Sequence, residues 1–246
     1  VNKLSFSSLF FLILVFSPKT FSQAQTELET DLFTFTFVGD SLTVQDTSGQ
    51  QIYSEKFLNP FGYLADLDAD GNDEFLVRDS SITLNDQVLY ELYIYNALDT
   101  FYLASKINSG TTLPYESDSG EIEGLIIVTG NPDFAYLNEN SEYVSLPLNC
   151  WKFEEGEIYS INNEVYDLFM NENNNILSAL ENIPSEDRSD CDSISNVKSL
   201  VASAYINYLN AGENAVASNL ISTYYPCEDA PGFREELNSI FQKENQ

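Results

Sequence analysis

The sequence predicts an α+β chain, an antiparallel β meander followed by a small C-terminal helical domain, and three observations lead there. Between Asp31 and Ile161, apolar residues recur at every second position in short runs. Gly-, Asn- and Asp-containing turns break those runs at hairpin-like intervals. After Asn163 the apolar spacing changes to three and four residues, the period of a helix packed on one side. The expected division is residues 1–25, 26–162 and 163–246.

Residues 1–25 read as a secretory signal peptide. Lys3 supplies the positive start, Leu9 to Phe16 the apolar core, and Ser22-x-Ala24 the small-residue cleavage pattern, so Gln25 is the expected mature N-terminus. Val1 reads as an alternative start codon translated literally. The apolar run falls well short of the ~20 residues that a membrane span needs, and no later stretch is long and apolar enough. No cysteine lies near the cleavage point, so a lipid anchor is not expected. The expected destination is secreted or periplasmic.

Leu32 to Val38 opens the meander, with Phe33, Phe35 and Phe37 on one face and Thr34 and Thr36 on the other. Gly39-Asp40 turns the chain into Ser41–Gln45, and Thr47 to Gln50 turns it into Gln51–Phe57. Phe61–Ala65 and Phe75–Val77 flank an acidic loop. Val88–Tyr95 and Thr100–Ile107 form a hairpin. Leu125–Val128, Phe134–Leu137 and Tyr143–Leu146 continue the pattern. Cys150–Phe153 and Glu157–Ile161 close it around Glu154-Glu155-Gly156. The expected total is about ten short strands rich in Tyr and Phe.

The acidic loop, Asp66-Leu67-Asp68-Ala69-Asp70-Gly71-Asn72-Asp73-Glu74, carries oxygen side chains at positions one, three and five and a glycine at six. Alternate oxygens of this kind converge on one hard cation, and the glycine permits the bend. Five carboxylates in nine residues would otherwise repel one another. Position twelve is Val77 and not the bidentate Glu of a helix-loop-helix calcium site, so an EF-hand is excluded.

Over Tyr63 to Val77 the chain resembles the FG-GAP/VCBS repeats of extracellular β-propeller proteins, whose blades carry an Asp-x-Asp-x-Asp-Gly-x-x-[Asp/Glu] loop before a short apolar strand. The resemblance implies a propeller-like meander and a bound Ca2+. Asp66, Asp68, Asp70 and Glu74 would donate side-chain oxygens, and Asn72 its backbone carbonyl. Asp73 is either a substitute ligand or a solvated neighbour. An internal echo lies 49 residues on: setting Gly120 on Gly71 places Glu123 on Glu74 and Leu125-Ile126 on Leu76-Val77. That copy, Tyr115 to Gly120, lacks the acids at positions one, three and five and is expected to hold an ion poorly or not at all. Two copies are fewer than an ordinary propeller has, which leaves a truncated propeller-like stack or an open sandwich.

In the helical part, Val165, Leu168, Phe169, Ile176, Leu177, Leu180 and Ile183 outline a first helix with an asparagine-rich middle, and Pro184 to Asp190 a linker. Ile194 to Leu209 gives the strongest helical stripe, with Asp192 or Ser193 at its start and Gly212 at its end. Ala215 to Tyr224 returns alongside it. Pro231 to Phe241 follows, with Asp229 or Ala230 just before. This end resembles the helical-hairpin tails that follow such repeats in secreted bacterial proteins, and Tyr208 to Glu213 is similar to a tetratricopeptide hairpin without the full repeat signature. Cys191 and Cys227 fall at one end of an antiparallel helix pair, and in an oxidising compartment they are expected to bridge. Cys150 would then be a buried free thiol, although a bridge from Cys150 to either partner is compatible with the spacing.

The chain has no histidine among 246 residues, which removes Ser-His-Asp and Cys-His nucleophile systems and histidine-ligated metals. No Gly-rich phosphate loop is present. A formal charge of −29 repels nucleic acid and anionic lipid as partners, and loss of residues 1–25 would remove Lys3 and Lys19 but no acid. The expected function is a non-catalytic, calcium-binding β-repeat module that recognises a protein or glycan. Two other classes remain: a carboxylate-based polysaccharide hydrolase using a pair such as Glu121/Glu123 or Glu154/Glu155, and an envelope-assembly partner acting through its helical tail.

Overall fold

The computed structural model describes residues 25–83, 86–138, 144–184, 191 and 195–244. The signal-peptide, linker and Asp192/Ser193 cap expectations therefore lie outside the described residues. Twelve strands occur among them: β1 (Gln25–Glu29), β2 (Phe33–Val38), β3 (Ser41–Asp46), β4 (Gln51–Lys56), β5 (Pro60–Ala65), β6 (Glu74–Ile82), β7 (Val88–Asn96), β8 (Tyr102–Gly110), β9 (Tyr115–Ser117), β10 (Ile126–Gly130), β11 (Leu148–Glu154) and β12 (Glu157–Ser160). They pair antiparallel, each with its sequence neighbour, into three four-stranded sheets: β1–β4, β5–β8 and β9–β12. Four α-helices follow among the described residues: α1 (Tyr166–Asn182), α2 (Ser195–Asn210), α3 (Asn214–Tyr224) and α4 (Ala230–Glu244). The mixed α+β class is as expected, and no closure of the sheets into a propeller is seen among the described residues.

The sheets stack in series because of what each strand shows to its two faces. In the first sheet Phe33, Phe35, Phe37, Leu42 and Val44 point inward and pack on Phe75, Val77, Tyr93 and Tyr95 of the second. This layer is aromatic: Phe35 and Phe75 stack with centroids 4.0 Å apart, and Phe57 meets Tyr93 edge-on at 5.1 Å. The alternate residues of β6 and β7, Leu76, Leu92 and Ile94, point the other way and meet Ile127 and Phe153 of the third sheet. The other face of that sheet, Ile126, Val128, Leu148 and Cys150, is covered by Val165 and Phe169 at the start of α1. The second and third sheets are thus covered on both sides, and the parts of β6 and β10 between the layers, Phe75–Val77 and Ile126–Val128, are unbroken apolar runs. The outer face of the first sheet carries Thr34, Thr36, Thr43 and Gln45, so the stack ends there on a polar surface, as terminal repeats do.

Phe35→Leu should lower stability by about 1–2 kcal/mol, because it deletes buried carbon and the stacked pair with Phe75. Urea unfolding checks this; a midpoint equal to that of the parent would show that the aromatic layer does not hold the first two sheets together.

Helix α2 is the hub of the helical part. Val197, Val201, Ala202, Ala204, Tyr205 and Ile206 are all buried, so it has almost no solvent face. It ends at Gly212, where Glu213 N–H donates back to the Tyr208 carbonyl at 2.8 Å. Cys191 and Cys227 form a disulfide with Cα atoms 5.9 Å apart, and Cys150 is a buried free thiol. Burial pushes the Cys150 thiol up to about 12, so it stays protonated and does not exchange with the bridge. No helix among the described residues is long and apolar enough to cross a membrane.

Three local readings need correction. Phe134 to Leu137 is not a strand but lies in a 3-10 helix, Pro132–Asn138. Its alternation is misleading because Phe134 anchors in the helical core beside Leu146. Val144 to Leu146 has no regular structure, and Tyr143 lies outside the described residues. Ser145 is instead held by Ser199 of α2 through two hydrogen bonds of 3.1 and 2.9 Å. Strand β1, Gln25–Glu29, went unrecognised because its Thr and Glu content gives no buried face by sequence.

Candidate metal centre

The acidic loop joins β5 to β6, and the ladder closes on the pair Ala65 and Glu74 directly beneath it. Within the loop, Asp66 accepts the N–H of Asp70 at 3.1 Å and of Gly71 at 3.0 Å, one on each carboxylate oxygen. Asp68 accepts Asp70 N–H at 3.3 Å. Asp70 accepts both the backbone and the side-chain N–H of Asn72, at 2.8 and 3.0 Å. Gly71 has φ +89°, the left-handed conformation that the sixth position requires and that a side chain would resist.

Glu74 differs from the rest. It is fully buried, at 0 % exposure; one carboxylate oxygen accepts Leu67 N–H at 2.9 Å, and the other, Oε1, has no hydrogen-bond partner. Buried carboxylates are rarely left so. Oxygens of Asp66, Asp68 and Glu74 all lie within 4.8 Å of one another. A calcium ion with oxygens at about 2.3–2.6 Å spans oxygens up to roughly 5 Å apart across itself. The donor set, all carboxylate oxygen with no nitrogen or sulfur, suits a hard cation. Five of the expected residues therefore divide: Asp66, Asp68 and Glu74 come together, whereas Asp70 and Asn72 bond to each other at the exposed rim of the loop.

Burial, then the nearby Asp68 and Asp70 charges, push the Glu74 carboxyl up to about 7, against the pull of the Leu67 N–H. Burial together with Asp70 and Asp66 also raises Asp68. With an unfolded value near ~4.3, folded Glu74 binds its proton more tightly than the unfolded chain does. Its contribution in calcium-stripped protein is therefore full below that unfolded value and is lost as pH rises through about 7. Urea midpoints of stripped protein should fall more between roughly pH 5 and 7.5 for the parent than for Glu74→Gln; parallel curves would remove Glu74 as the source.

What fixes the loop was not legible in the motif. Leu67, the one large apolar residue inside it, is fully buried against Leu76, Ile127 and Phe153. Its carbonyl accepts Leu125 N–H from the third sheet's loop at 2.8 Å. Gly124, at φ +86°, sits so close that a Cβ there would lie 2.3 Å from the Leu67 oxygen. The echo copy, which like the acidic loop joins the first two strands of its sheet, docks on the candidate site itself. In that copy Glu123, the counterpart of Glu74, is exposed.

The outer side of the acidic loop, Gly71 to Asp73, forms one wall of a cleft of ≈ 780 Å³, and Glu29 to Leu32 and Ala97 to Asp99 form the others. Glu29 at the end of β1, Asp31 just after it, Asp73 and Asp99 bring four acidic residues to its lining from three separate segments. Sequence reasoning missed Glu29, Asp31 and Asp99 because nothing local ties these segments together. The carboxylate pairs considered for hydrolysis lie elsewhere: Glu121, Glu123, Glu154 and Glu155 are all exposed, and none lines the cleft. Compared with protein-family models, curated proteins and solved structures, the chain finds no match in any of the three.

Proposed function

We propose that this chain is an exported, non-catalytic calcium-binding β-repeat module that recognises a protein or glycan. The observation that carries the reading is Glu74, a fully buried carboxylate with one unpartnered oxygen, grouped with Asp66 and Asp68. A calcium ion there satisfies that oxygen and neutralises three converging charges, with water and the loop backbone completing its shell. By the likeness to FG-GAP/VCBS repeats, Asp70 and the Asn72 carbonyl join the shell once the ion draws the rim inward. The disulfide is compatible with an oxidising compartment, where calcium is abundant enough for a weak site.

Bound calcium fixes both sides of the loop. The inner side holds Leu67 in the core between the second and third sheets, and the outer side walls the cleft. Partner contact belongs at that cleft, whose acidic lining favours a cationic or cation-bridged group.

Thermal melting of the protein with calcium and with chelator tests the reading. Calcium should raise the midpoint by several degrees at saturating concentration. Identical midpoints in the two conditions, with no calcium uptake by calorimetry, would overturn it.

A further inference from the structure

Helix α2 carries a polar stripe through the core: Ser199, Ser203 and Asn207, four residues apart and 1 %, 0 % and 0 % exposed. Side chains at that spacing share one face of a helix. The two ends of the stripe are committed to the β10–β11 connection. Ser199 Oγ donates to the Ser145 carbonyl at 2.9 Å, and Asn207 Oδ1 accepts Leu148 N–H at 2.9 Å. The middle is not. Ser203 Oγ and Asn207 Nδ2 are buried without a hydrogen-bond partner, and so is Oδ1 of Asn173 on the facing helix α1. Asn173 is placed beside this stripe by its own amide, whose Nδ2 donates to the Ala204 carbonyl at 3.2 Å.

The three unpartnered atoms are complementary: a donor on Asn207, an acceptor on Asn173 and a hydroxyl on Ser203 that can be either. They cannot simply turn to meet one another. Rotating the Asn207 amide would set its NH2 against Leu148 N–H, donor on donor, and rotating that of Asn173 would set its oxygen against the Ala204 carbonyl, acceptor on acceptor. The set joins a donor, an acceptor and a hydroxyl with no charged group, which favours a neutral ligand that both donates and accepts. Three buried polar atoms of mixed donor and acceptor sense, on two helices in contact, are the set of partners that one buried water molecule takes.

We propose that a single water molecule is bound between α1 and α2, accepting from Asn207 Nδ2, donating to Asn173 Oδ1 and completed by Ser203 Oγ. It is an integral part of the joint by which the helical segment is fastened to the start of β11, and it is independent of the calcium loop. Held among buried atoms, it exchanges with bulk solvent only when that joint opens.

Water–protein cross-relaxation NMR on the full chain tests this. The side-chain amide hydrogens of Asn207 should show contact with a water of long residence in the parent protein, with and without calcium. In Asn173→Leu, which removes the acceptor and fills the space, the contact should be lost; should that variant fail to fold, Ser203→Ala should shorten the residence time by at least tenfold. Absence of a long-lived water at Asn207 in the parent would overturn the proposal, and so would a contact unchanged in the variants.

Discussion

Glu74→Gln is expected to abolish the calcium-dependent rise in melting temperature while leaving the calcium-free protein at least as stable as the parent at neutral pH. Glutamine keeps the shape of the side chain and can still accept Leu67 N–H at its oxygen. It removes a charge that burial and two neighbouring aspartates disfavour, so the stripped variant loses nothing and sheds a cost. It also removes an anionic ligand from a site with three grouped carboxylates. At calcium a hundredfold above the dissociation constant, binding stabilises the parent by about 2.7 kcal/mol. For a chain of this size that is on the order of 5–10 °C in melting temperature, all of which the variant should forfeit. The two proteins should therefore exchange rank between chelator and calcium. A variant that melts below the parent in chelator and still responds to calcium would mean that Glu74 is only a hydrogen-bond acceptor for the loop.

Opening the disulfide is expected to have the larger effect of the two. Cys191 and Cys227 are 36 residues apart and enclose α2 and α3. Closing a loop of that length restricts the unfolded chain by about 4 kcal/mol in the chain-entropy account. Cys191→Ser should thus lower the melting temperature by roughly 8–16 °C. Reductant should do the same to the parent and nothing further to the variant, since Cys150 is buried with a thiol that stays protonated. A fall below about 1 kcal/mol would indicate that the helices already hold one another in the unfolded ensemble. The calcium response should survive in the variant, because the acidic loop lies in the second sheet and shares no core residue with the bridge.

The strands that were legible are those whose alternation is strict and whose turns are marked, such as Phe33–Val38 and the Cys150–Phe153 hairpin. Phe134 to Leu137 shows the limit: a short apolar run beside a proline packs equally well as one 3-10 turn, and only its neighbours in the helical core decide. The carboxylate loop was visible as a pattern of spacing. Which of its acids converge was not, because Asp66, Asp68 and Asp70 stand alike at the alternate positions of the motif, and only the folded loop groups the first two with the buried Glu74.

By itself the sequence determined what depends on residues two, three or four positions apart: the alternating meander, the helical stripes, the bend at Gly71 and a cysteine pair at the ends of neighbouring helices. These follow from the pleat of a strand and the turn of a helix, which any short segment carries within it. Only the tertiary structure decided that the strands divide into three sheets stacked in series, that Leu67 locks the acidic loop against Gly124, that four carboxylates from three separate segments line one cleft, and that Asn173 of α1 reaches the Ala204 carbonyl of α2. Those relations join residues tens of positions apart, and they arise from how whole faces pack against each other to leave water, a choice that no local spacing records.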